Sequence, residues 1–236
     1  MQALRLPPRL ARIAALVPAG ARIADVGTDH GLLPIWLRER EIALSAVATD
    51  IRPGPLSRAK SLMRRRGVTA MSCRLCDGLT GVDPSEADTV IIAGMGGENM
   101  AEILRSAPWT ASGRLLLLQP MSRPEALRRA LGSFRVEIQA EHLVEDAGRI
   151  YPVLVARGGG EISACSEAEL YTGRYELVSR EALFLPMLEA LMDKLQSALT
   201  GLERSSRPED RDRSGHLRRV CGELEEMRRR FHGDRL

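Results

Sequence analysis

Cysteines, long apolar runs and a leader segment are scarce or missing in this sequence. Four cysteines in 236 residues are too few for the disulfide framework of a small secreted domain. No apolar run approaches the roughly 20 residues that a membrane-spanning helix needs, and the first residues lack the continuous apolar core of a signal peptide. We therefore expect a cytoplasmic protein with reduced thiols and no membrane partner.

Two common ligand motifs are also incomplete. Cys73 and Cys76 have the spacing of a metal-binding pair, but a structural zinc site needs four ligands and no second pair exists, so we predict no metal. The dinucleotide fingerprint G-x-G-x-x-G would need glycines where the chain has Asp29 and Leu32. This mismatch argues against a pyrophosphate-binding site.

The most informative segment that is present runs from Ile23 to Gly31. An apolar strand enters a glycine-punctuated turn, and an apolar helix follows from Leu32 to Leu37. Gly27 allows a sharp turn after the strand, and Gly31 allows a ligand or the next helix to come close. The acidic Asp29 disfavours a pyrophosphate and favours a cationic ligand. We therefore predict S-adenosylmethionine, which carries a sulfonium and an amino group, as the cofactor.

Candidate strands alternate with helix-compatible segments through residue 132, which is typical of a parallel sheet covered on both faces. The last two candidates are separated only by residues 145–148, too few for a crossover helix, and should form an antiparallel hairpin. We predict an α/β fold over residues 1–160. Five parallel strands closed by a two-strand hairpin resemble the Rossmann-like, seven-stranded class I methyltransferase domain, and this resemblance implies that domain type here. The candidate strands are 22–26, 45–50, 71–75, 88–93, 114–118, 135–144 and 149–156.

From about residue 179 the apolar residues recur every three or four positions, as on a helix. A polar segment, 205–213, separates two such series, which predicts an antiparallel, coiled-coil-like helical hairpin within a domain of residues 161–236. A seam this short needs support from the main domain or from a partner, so monomer and weak dimer both stay open. The seam residues are Leu188, Leu191, Leu195, Leu199 and Leu202, then Leu217, Val220, Leu224, Met227 and Phe231.

Positive charge is concentrated in the first part of the chain. Residues 1–70 contain twelve Arg or Lys against five Asp or Glu, whereas the remaining residues carry a net negative charge. These side chains either form a phosphate-facing surface around a pocket or are ordinary solvated helix faces.

Two acidic residues follow predicted strands at places where nucleotide folds bind their ligands. Asp50 ends the second strand, where a carboxylate accepts hydrogen bonds from both ribose hydroxyls; the alternative is an exposed loop acid before Pro53. Asp77 follows the third strand, where it accepts a hydrogen bond from the adenine amino group of the cofactor or forms a turn with Gly78.

The fourth and fifth strands end in further candidate residues. Gly94, Gly96 and Gly97 predict a close approach to a substrate, or a tight turn with an anion-binding helix start. The aromatic clamp of many amino-group methyltransferases is absent here. Gln119, before Pro120, binds a base edge or satisfies loop backbone groups.

Asp29 is the predicted reactive residue. Methyl transfer from a sulfonium depends on alignment of donor and acceptor, and a carboxylate here orients the cofactor or accepts a hydrogen bond from the base. The alternative is that Asp29 caps the following helix. His30 lines the pocket or is simply exposed.

Together these residues resemble the bacterial tRNA (adenine-22-N1)-methyltransferase family over residues 1–156. The most specific motif pair is Asp29-His30-Gly31 with Gly94-Met95-Gly96-Gly97. The similarity also includes Arg9-Leu10, Val17-Pro18-x-Gly20, Ala24-Asp25-Val26-Gly27-Thr28, Asp77-Gly78-Leu79, Leu118-Gln119-Pro120 and Glu145-Asp146-x-Gly148-x-x-Tyr151.

The resemblance implies methyl transfer from S-adenosylmethionine to N1 of adenine 22, in the D-arm region of tRNA. It implies that Asp29 is catalytic and that the substrate-binding residues are Arg9, Gly97, Gln119 and Pro120. The implied cofactor-binding residues are Asp25, Gly27, Asp29, His30, Gly31, Asp50, Ile51, Asp77, Gly78, Gly94, Met95 and Gly96.

Two positions depart from the family pattern: Asp50 stands where Glu is frequent, and Met121 where Asn is more frequent. The lone pair of N1 reacts directly, so no strong general base is needed, which agrees with the lack of an evident His–carboxylate pair. Two other functions stay open: a methyltransferase for another RNA or a small molecule, and a noncatalytic RNA-binding protein that keeps the fold.

Overall fold

In the computed structural model the chain forms two compact units. The structure describes residues 3–160, 164–204 and 207–234. The first unit contains the described residues up to 160, and the second contains those from 164 onward. The predicted boundary after residue 160 adjoins residues outside the described ranges and stays a prediction.

The first unit is a seven-stranded sheet flanked by helices. Its strands are β1 (Ala21–Val26), β2 (Ala43–Asp50), β3 (Met71–Leu75), β4 (Thr89–Gly96), β5 (Leu115–Ser122), β6 (Val136–Asp146) and β7 (Arg149–Gly158). Its helices are α1 (Pro8–Leu16), α2 (Leu32–Glu39), α3 (Pro53–Arg66), α4 (Gly97–Arg105) and α5 (Pro124–Ser133), with 3₁₀ turns at Pro84–Glu86 and Pro108–Ala111.

The strand order is β3-β2-β1-β4-β5-β7-β6. Strands β1 to β5 are parallel, whereas β7 is antiparallel to both β5 and β6. The predicted class I methyltransferase sheet is therefore confirmed, including its closing hairpin.

Two hydrophobic cores cover the two faces of this sheet. In β5, Leu116 and Leu118 belong to one core, and Leu115 and Leu117 belong to the other. This alternation follows from the two-residue period of a strand. Because both faces are covered, the strands form nearly continuous apolar runs, which is why the sequence pattern located them.

Strands β4 and β5 extend beyond their predicted ends at residues 93 and 118. The tight turn predicted at Gly94 and Gly96 is wrong, because both residues continue β4 beside β5. The register is irregular from Ala93 to Gly96, and Gly94 has a φ of +79°. A β-bulge with a left-handed glycine explains how the strand continues through this segment.

The β6–β7 hairpin has a tighter connection than the sequence pattern indicates. Only Ala147 and Gly148 lie between the strands, with φ values of +51° and +72°. Two consecutive left-handed residues match the twist of the flanking strands. The hairpin tip therefore lies directly after Asp146, at the same edge as the carboxyl end of β5.

The second unit is helical, with α6 (Glu167–Thr172), α7 (Tyr175–Val178), α8 (Phe184–Glu203) and α9 (Pro208–Gly233). The ring centroids of Phe184, at the start of α8, and Phe231, near the end of α9, are 5.2 Å apart, so the two helices are antiparallel. The predicted helical hairpin is confirmed; its coiled-coil-like character stays a prediction. Most predicted seam residues are buried, but Leu191, Leu202 and Leu217 are only half-buried.

Two features of this unit differ from the sequence prediction. Helix α9 begins at Pro208, inside the segment predicted as a turn, because proline suits the first helical position; residues 205 and 206 lie outside the described ranges. Helices α6 and α7 are too short to show periodicity. The capping box of Ser166 and Glu169 marks the start of α6 and was the available sequence signal.

None of the helices in the described parts of the chain combines the length and apolar character needed to cross a membrane.

Candidate functional site

The candidate site lies at the carboxyl ends of the parallel strands of the first unit. The chain leaves β1 toward β2 on one side, while β4 and β5 lie on the other, so the topology switches between β1 and β4. Open α/β sheets bind ligands at such a crevice. The turn after β1 contains three left-handed residues: Gly27, Asp29 and Gly31, with φ values of +69°, +51° and +70°.

The two glycines of this turn allow close contacts within the protein. A Cβ atom at Gly27 would lie 2.8 Å from Cε of Met95, across the switch point. A Cβ atom at Gly31 would lie 3.0 Å from Cβ of Ala59 in α3. The close approach predicted at Gly31 is therefore made by a helix of the protein itself.

Asp29 is held in a left-handed backbone conformation, which is uncommon for a residue other than glycine and is frequent at functional sites. Its backbone N–H donates to the Asp50 carboxylate at 3.3 Å. Its own carboxylate is exposed and lies 3.0 Å from His30 Nδ1 and 3.7 Å from Arg58 Nη2. The helix-cap alternative is wrong, since Gly31 is the N-cap of α2.

Asp50 is a buried carboxylate at the end of β2, so the exposed-loop alternative is wrong. It accepts a hydrogen bond from the backbone N–H of Arg52 at 2.9 Å as well as the one from Asp29. Beside it, Ile51 and Leu75 are 63% and 59% exposed at the ends of neighbouring strands. A buried acceptor next to an exposed apolar surface suits a ribose and its attached base.

Asp25 is a second buried carboxylate, within β1. Burial and, to a smaller extent, the charge of Asp50 raise its pKa to about 7, although the Thr28 hydroxyl, which donates to it at 2.5 Å, lowers the pKa. No basic side chain in the described ranges forms an ion pair with Asp25. A cation bound nearby would stabilise the charged form of this carboxyl group.

Asp77 and Gly78 lie in the loop after β3. The backbone carbonyl of Asp77 accepts hydrogen bonds from Thr80, and Gly78 has a φ of +56°, so the predicted turn is present. The Asp77 side chain is exposed, and its carboxylate has no hydrogen-bond partner among the residues that the structure describes. The turn therefore leaves this acceptor open to a ligand.

Arg9, on α1, joins three predicted or neighbouring site residues. Its Nε donates to Asp146 at 2.7 Å, and its Nη1 donates to Gln119 Oε1 at 3.0 Å and to Met121 Sδ at 3.4 Å. The guanidinium carbon lies 5.6 Å from the centroid of the Tyr151 ring. Asp146 and Tyr151 were not predicted as site residues, although both belong to the hairpin motif.

Several predicted substrate residues are buried by the protein's own packing. The fully buried Gln119 amide accepts from Arg9 and donates to the Pro120 carbonyl at 3.0 Å. Gly97 is buried, and a Cβ atom there would lie 2.2 Å from the Arg123 carbonyl oxygen. Both residues are engaged by other parts of the protein, and direct contact with a substrate stays a prediction.

Many of the basic side chains in the first third of the chain already have partners. Arg66 forms a two-point ion pair with Glu39, and Arg38 donates to the backbone carbonyls of Leu44 and Thr69. The Arg40 guanidinium carbon lies 3.9 Å from the Trp36 ring centroid. The charge available to phosphates is therefore smaller than the sequence count indicates.

Within the described ranges no three His, Cys, Asp or Glu side chains are placed to hold an ion, and the absence of a metal stays a prediction. The four cysteines form no disulfide with one another.

Known proteins are similar to this chain over most of its length. A family model described as a methyltransferase domain matches residues 6–154. The tRNA (adenine(22)-N(1))-methyltransferase of Bacillus subtilis strain 168 is 34% identical over 191 residues, which cover 78% of this chain and 80% of that protein.

Solved structures show the same similarity. The crystal structure of the B. subtilis M1A22 tRNA methyltransferase TrmK has a TM-score of 0.85 at 30% identity, covering 95% of this chain and 99% of that one. A putative tRNA (m1A22) methyltransferase from Streptococcus pneumoniae, in complex with S-adenosyl-L-methionine, has a TM-score of 0.74 at 31% identity. That match covers 90% of this chain and 98% of the S. pneumoniae chain.

Proposed function

The chain belongs to the methyltransferase domain family and, within it, to the tRNA (adenine(22)-N(1))-methyltransferases, and we propose that it methylates N1 of adenine 22 in tRNA with S-adenosylmethionine as donor. The observation that carries the proposal is the turn after β1, which links the buried Asp50 to the exposed Asp29 at the switch point of the sheet. The proposal includes a cytoplasmic location and tRNA as the partner.

The residues at this edge of the sheet fit S-adenosylmethionine. The Asp50 carboxylate has acceptor capacity beyond its two backbone donors for the ribose hydroxyls. Ile51 and Leu75 offer an apolar surface to the adenine, and Asp29 places negative charge where a cation is to bind. A cation bound there also favours the charged form of Asp25, whose pKa burial has raised. When bound, this cofactor supplies an electrophilic methyl group.

The residues of the chain need only align the acceptor base and stabilise its charge. The lone pair on N1 of adenine forms the new bond, so no side chain has to remove a proton first. Asp29 accepts a hydrogen bond from the amino group of the target adenine, which orients N1. The methylated ring carries a positive charge, and the Asp29 carboxylate stabilises that charge as it develops.

An adenine that is stacked or paired must leave the tRNA helix before it reaches this pocket, which costs a few kcal/mol. The pocket edge offers Arg52 and Arg58 next to Asp50 and Asp29, so positive charge surrounds the two carboxylates. Attraction of tRNA phosphates to this edge offsets part of the cost and is weakened by salt.

The test is incubation of the purified protein with labelled S-adenosylmethionine and unmodified tRNA, followed by nucleoside mass spectrometry. We expect 1-methyladenosine with wild-type tRNA and none with a tRNA that has guanosine at position 22. The variant Asp29→Asn keeps a residue that tolerates the left-handed backbone, so it removes the charge alone. We expect kcat to fall about 100-fold, with unchanged affinity for S-adenosylhomocysteine.

Asp88→Asn serves as the matched control, since Asp88 is an exposed partner of Arg22 near the start of β4. This variant should keep full activity. Cofactor binding without any methylated tRNA nucleoside would contradict the proposal and favour a small-molecule substrate or a noncatalytic RNA-binding role.

A further inference from the structure

The Arg9 side chain is fixed by residues from three different strands. We define the Arg9 clasp as Gln119 and Met121 of β5, Asp146 of β6 and Tyr151 of β7. A free arginine side chain has about 2 kcal/mol of rotamer entropy. The clasp removes that freedom before any ligand binds.

The clasp uses part of the hydrogen-bonding capacity of Arg9. A guanidinium has five N–H donors, one on Nε and two on each terminal nitrogen. Nε donates to Asp146 and Nη1 donates to Gln119 and Met121. Within the described ranges no residue accepts from the two N–H groups of Nη2. These two donors are available to a ligand.

The elements behind the clasp are rigid. Gln119 and Tyr151 are buried, and the two-residue turn after Asp146 determines where its carboxylate lies. The Arg9 and Asp146 side chains retain 22% and 15% of their exposure, so the pair lies at the surface of the pocket edge and not in the core. A partly buried, well-supported pair holds its geometry better than an exposed one.

The clasp also lies beside the candidate site. A Cβ atom at Gly94, in the bulge of β4, would lie 4.0 Å from Arg9 Nη1. Gly94 follows the switch point and is a predicted cofactor residue. Arg9 is therefore within contact range of the pocket edge at which the substrate base is to be methylated.

Arg9 could attract phosphates over a distance or donate a directed hydrogen bond to one acceptor, and its charge decides between these two roles. Asp146 neutralises most of the charge of Arg9 at 2.7 Å, which makes Arg9 a poor general attractor of phosphates. The guanidinium can still form hydrogen bonds of defined geometry, because its planar fork places the N–H donors at fixed angles. Such a group binds one acceptor atom well and attracts distant anions weakly.

We propose that Asp146 is a positioning residue for substrate binding: it holds Arg9 so that Nη2 donates to an acceptor atom of the target nucleotide. This inference rests on the proposed tRNA methyltransferase function. Asp146 acts only through Arg9 and does not contact the reacting atoms.

The test measures tRNA affinity, in the presence of S-adenosylhomocysteine, for Arg9→Gln, Asp146→Ala, Asp146→Asn and the double variant Arg9→Gln/Asp146→Ala. We expect Arg9→Gln and Asp146→Ala each to weaken tRNA binding about tenfold, the effect of one lost charge-assisted hydrogen bond. Asp146→Asn still offers an oxygen to Nε and should recover most of the affinity. The double variant should bind no more weakly than Arg9→Gln alone.

Asp88→Ala is the matched control, because it breaks an Arg–Asp pair in the same unit at the opposite ends of the strands. It should leave tRNA affinity unchanged. Additive losses in the double variant, or an Asp146→Ala variant that loses thermal stability but keeps its tRNA affinity, would overturn the positioning role. So would weaker S-adenosylhomocysteine binding. Wild-type turnover in the same preparations separates failure of this inference from failure of the proposed function.

Discussion

Acidic side chains have different partners at the carboxyl edge of the sheet and elsewhere in the first unit. Away from the candidate site, Glu141 is fully buried and pairs with Arg128 at 2.6 Å, and Glu86 pairs with Arg74 at 2.6 Å. At the carboxyl edge, Asp25 is also buried, and among the described residues its carboxylate accepts a side-chain hydrogen bond from the Thr28 hydroxyl alone. The buried Glu141 away from the site therefore has a basic partner, whereas the buried Asp25 at the carboxyl edge forms no ion pair with the described residues.

The same comparison applies to the backbone and to apolar side chains. The turn after β1 concentrates left-handed residues, including the non-glycine Asp29. Ile51, Leu75 and Met121, three of the few large apolar side chains that are exposed, also lie at this edge. Strained backbone, a buried carboxylate without a basic partner and exposed apolar surface each lower stability, and their coincidence at one edge supports the proposed site.

The largest effect is expected from breaking the matched pair of the core. Glu141→Ala removes a fully buried carboxylate from its pair with the buried Arg128 guanidinium, which costs about 3–5 kcal/mol of unfolding free energy. Urea unfolding measures this loss. The double variant Arg128→Met/Glu141→Leu removes both charges and should regain most of the stability. A single variant that loses less than about 1 kcal/mol would show that the pair is not isolated from water.

The next largest effect is a pH-dependent change in the free energy of unfolding, caused by the buried Asp25. Its pKa of about 7 in the folded protein lies above its ordinary value of 3.8, so the folded state keeps a proton that the unfolded state has released between these values. Stability therefore falls as pH rises through this window. Asp25→Asn removes the penalty and should stabilise the protein by about 1–3 kcal/mol at pH 8.

The measurement is urea unfolding of wild type and Asp25→Asn at pH 4.5 and pH 8. At pH 4.5 only the lower end of the window between the two pKa values has been crossed, so the advantage of the variant should fall to about a quarter of its value at pH 8. A difference of equal size at both pH values would mean that Asp25 is not the titrating group.

A smaller effect is expected on cofactor affinity when the carboxylate of Asp50 is removed. Asp50→Ala should weaken S-adenosylhomocysteine binding by about tenfold to thirtyfold, as expected for hydrogen bonds from ribose to a charged acceptor. Isothermal titration calorimetry measures the change. Glu86→Ala, which breaks a matched pair away from the site, is the control and should leave the affinity unaltered.

The smallest effect on the unfolding free energy is expected when the exposed ion pair of Arg22 and Asp88 is broken. Their side chains are 46% and 40% exposed, so solvent screens the attraction. Arg22→Gln should change the unfolding free energy by about 1 kcal/mol or less. Methyltransferase activity should stay at the wild-type level, and a loss of activity would extend the functional edge to the opposite ends of the strands.

Much of the fold was predictable because the determining signal is local. Parallel strands covered on both faces are apolar at nearly every position, as in Leu115–Leu118, and their alternation with helices implies the sheet. The glycine-punctuated turn after β1 and the acid at the end of β2 were predictable for the same reason. Strand ends were less accurate, because β4 continues through Gly94 only by pairing irregularly with β5.

Contacts between distant segments were not predictable from composition or spacing. Arg9 and Asp146 are 137 positions apart, and nothing local to either residue indicates their hydrogen bond. The count of basic residues likewise did not show that Arg66 forms an ion pair with Glu39. Pairing of this kind follows from how the sheet brings its edges together.

The sequence by itself determined the strand positions, the acidic glycine turn and the resemblance to a methyltransferase family, since each depends on residues close together in the chain. Only the tertiary structure decided that Asp25 is buried with a raised pKa and that Arg9 is clasped at the pocket edge. Burial and hydrogen-bond partners depend on which distant segments meet, and desolvation, the main cause of the Asp25 shift, exists only in the folded chain.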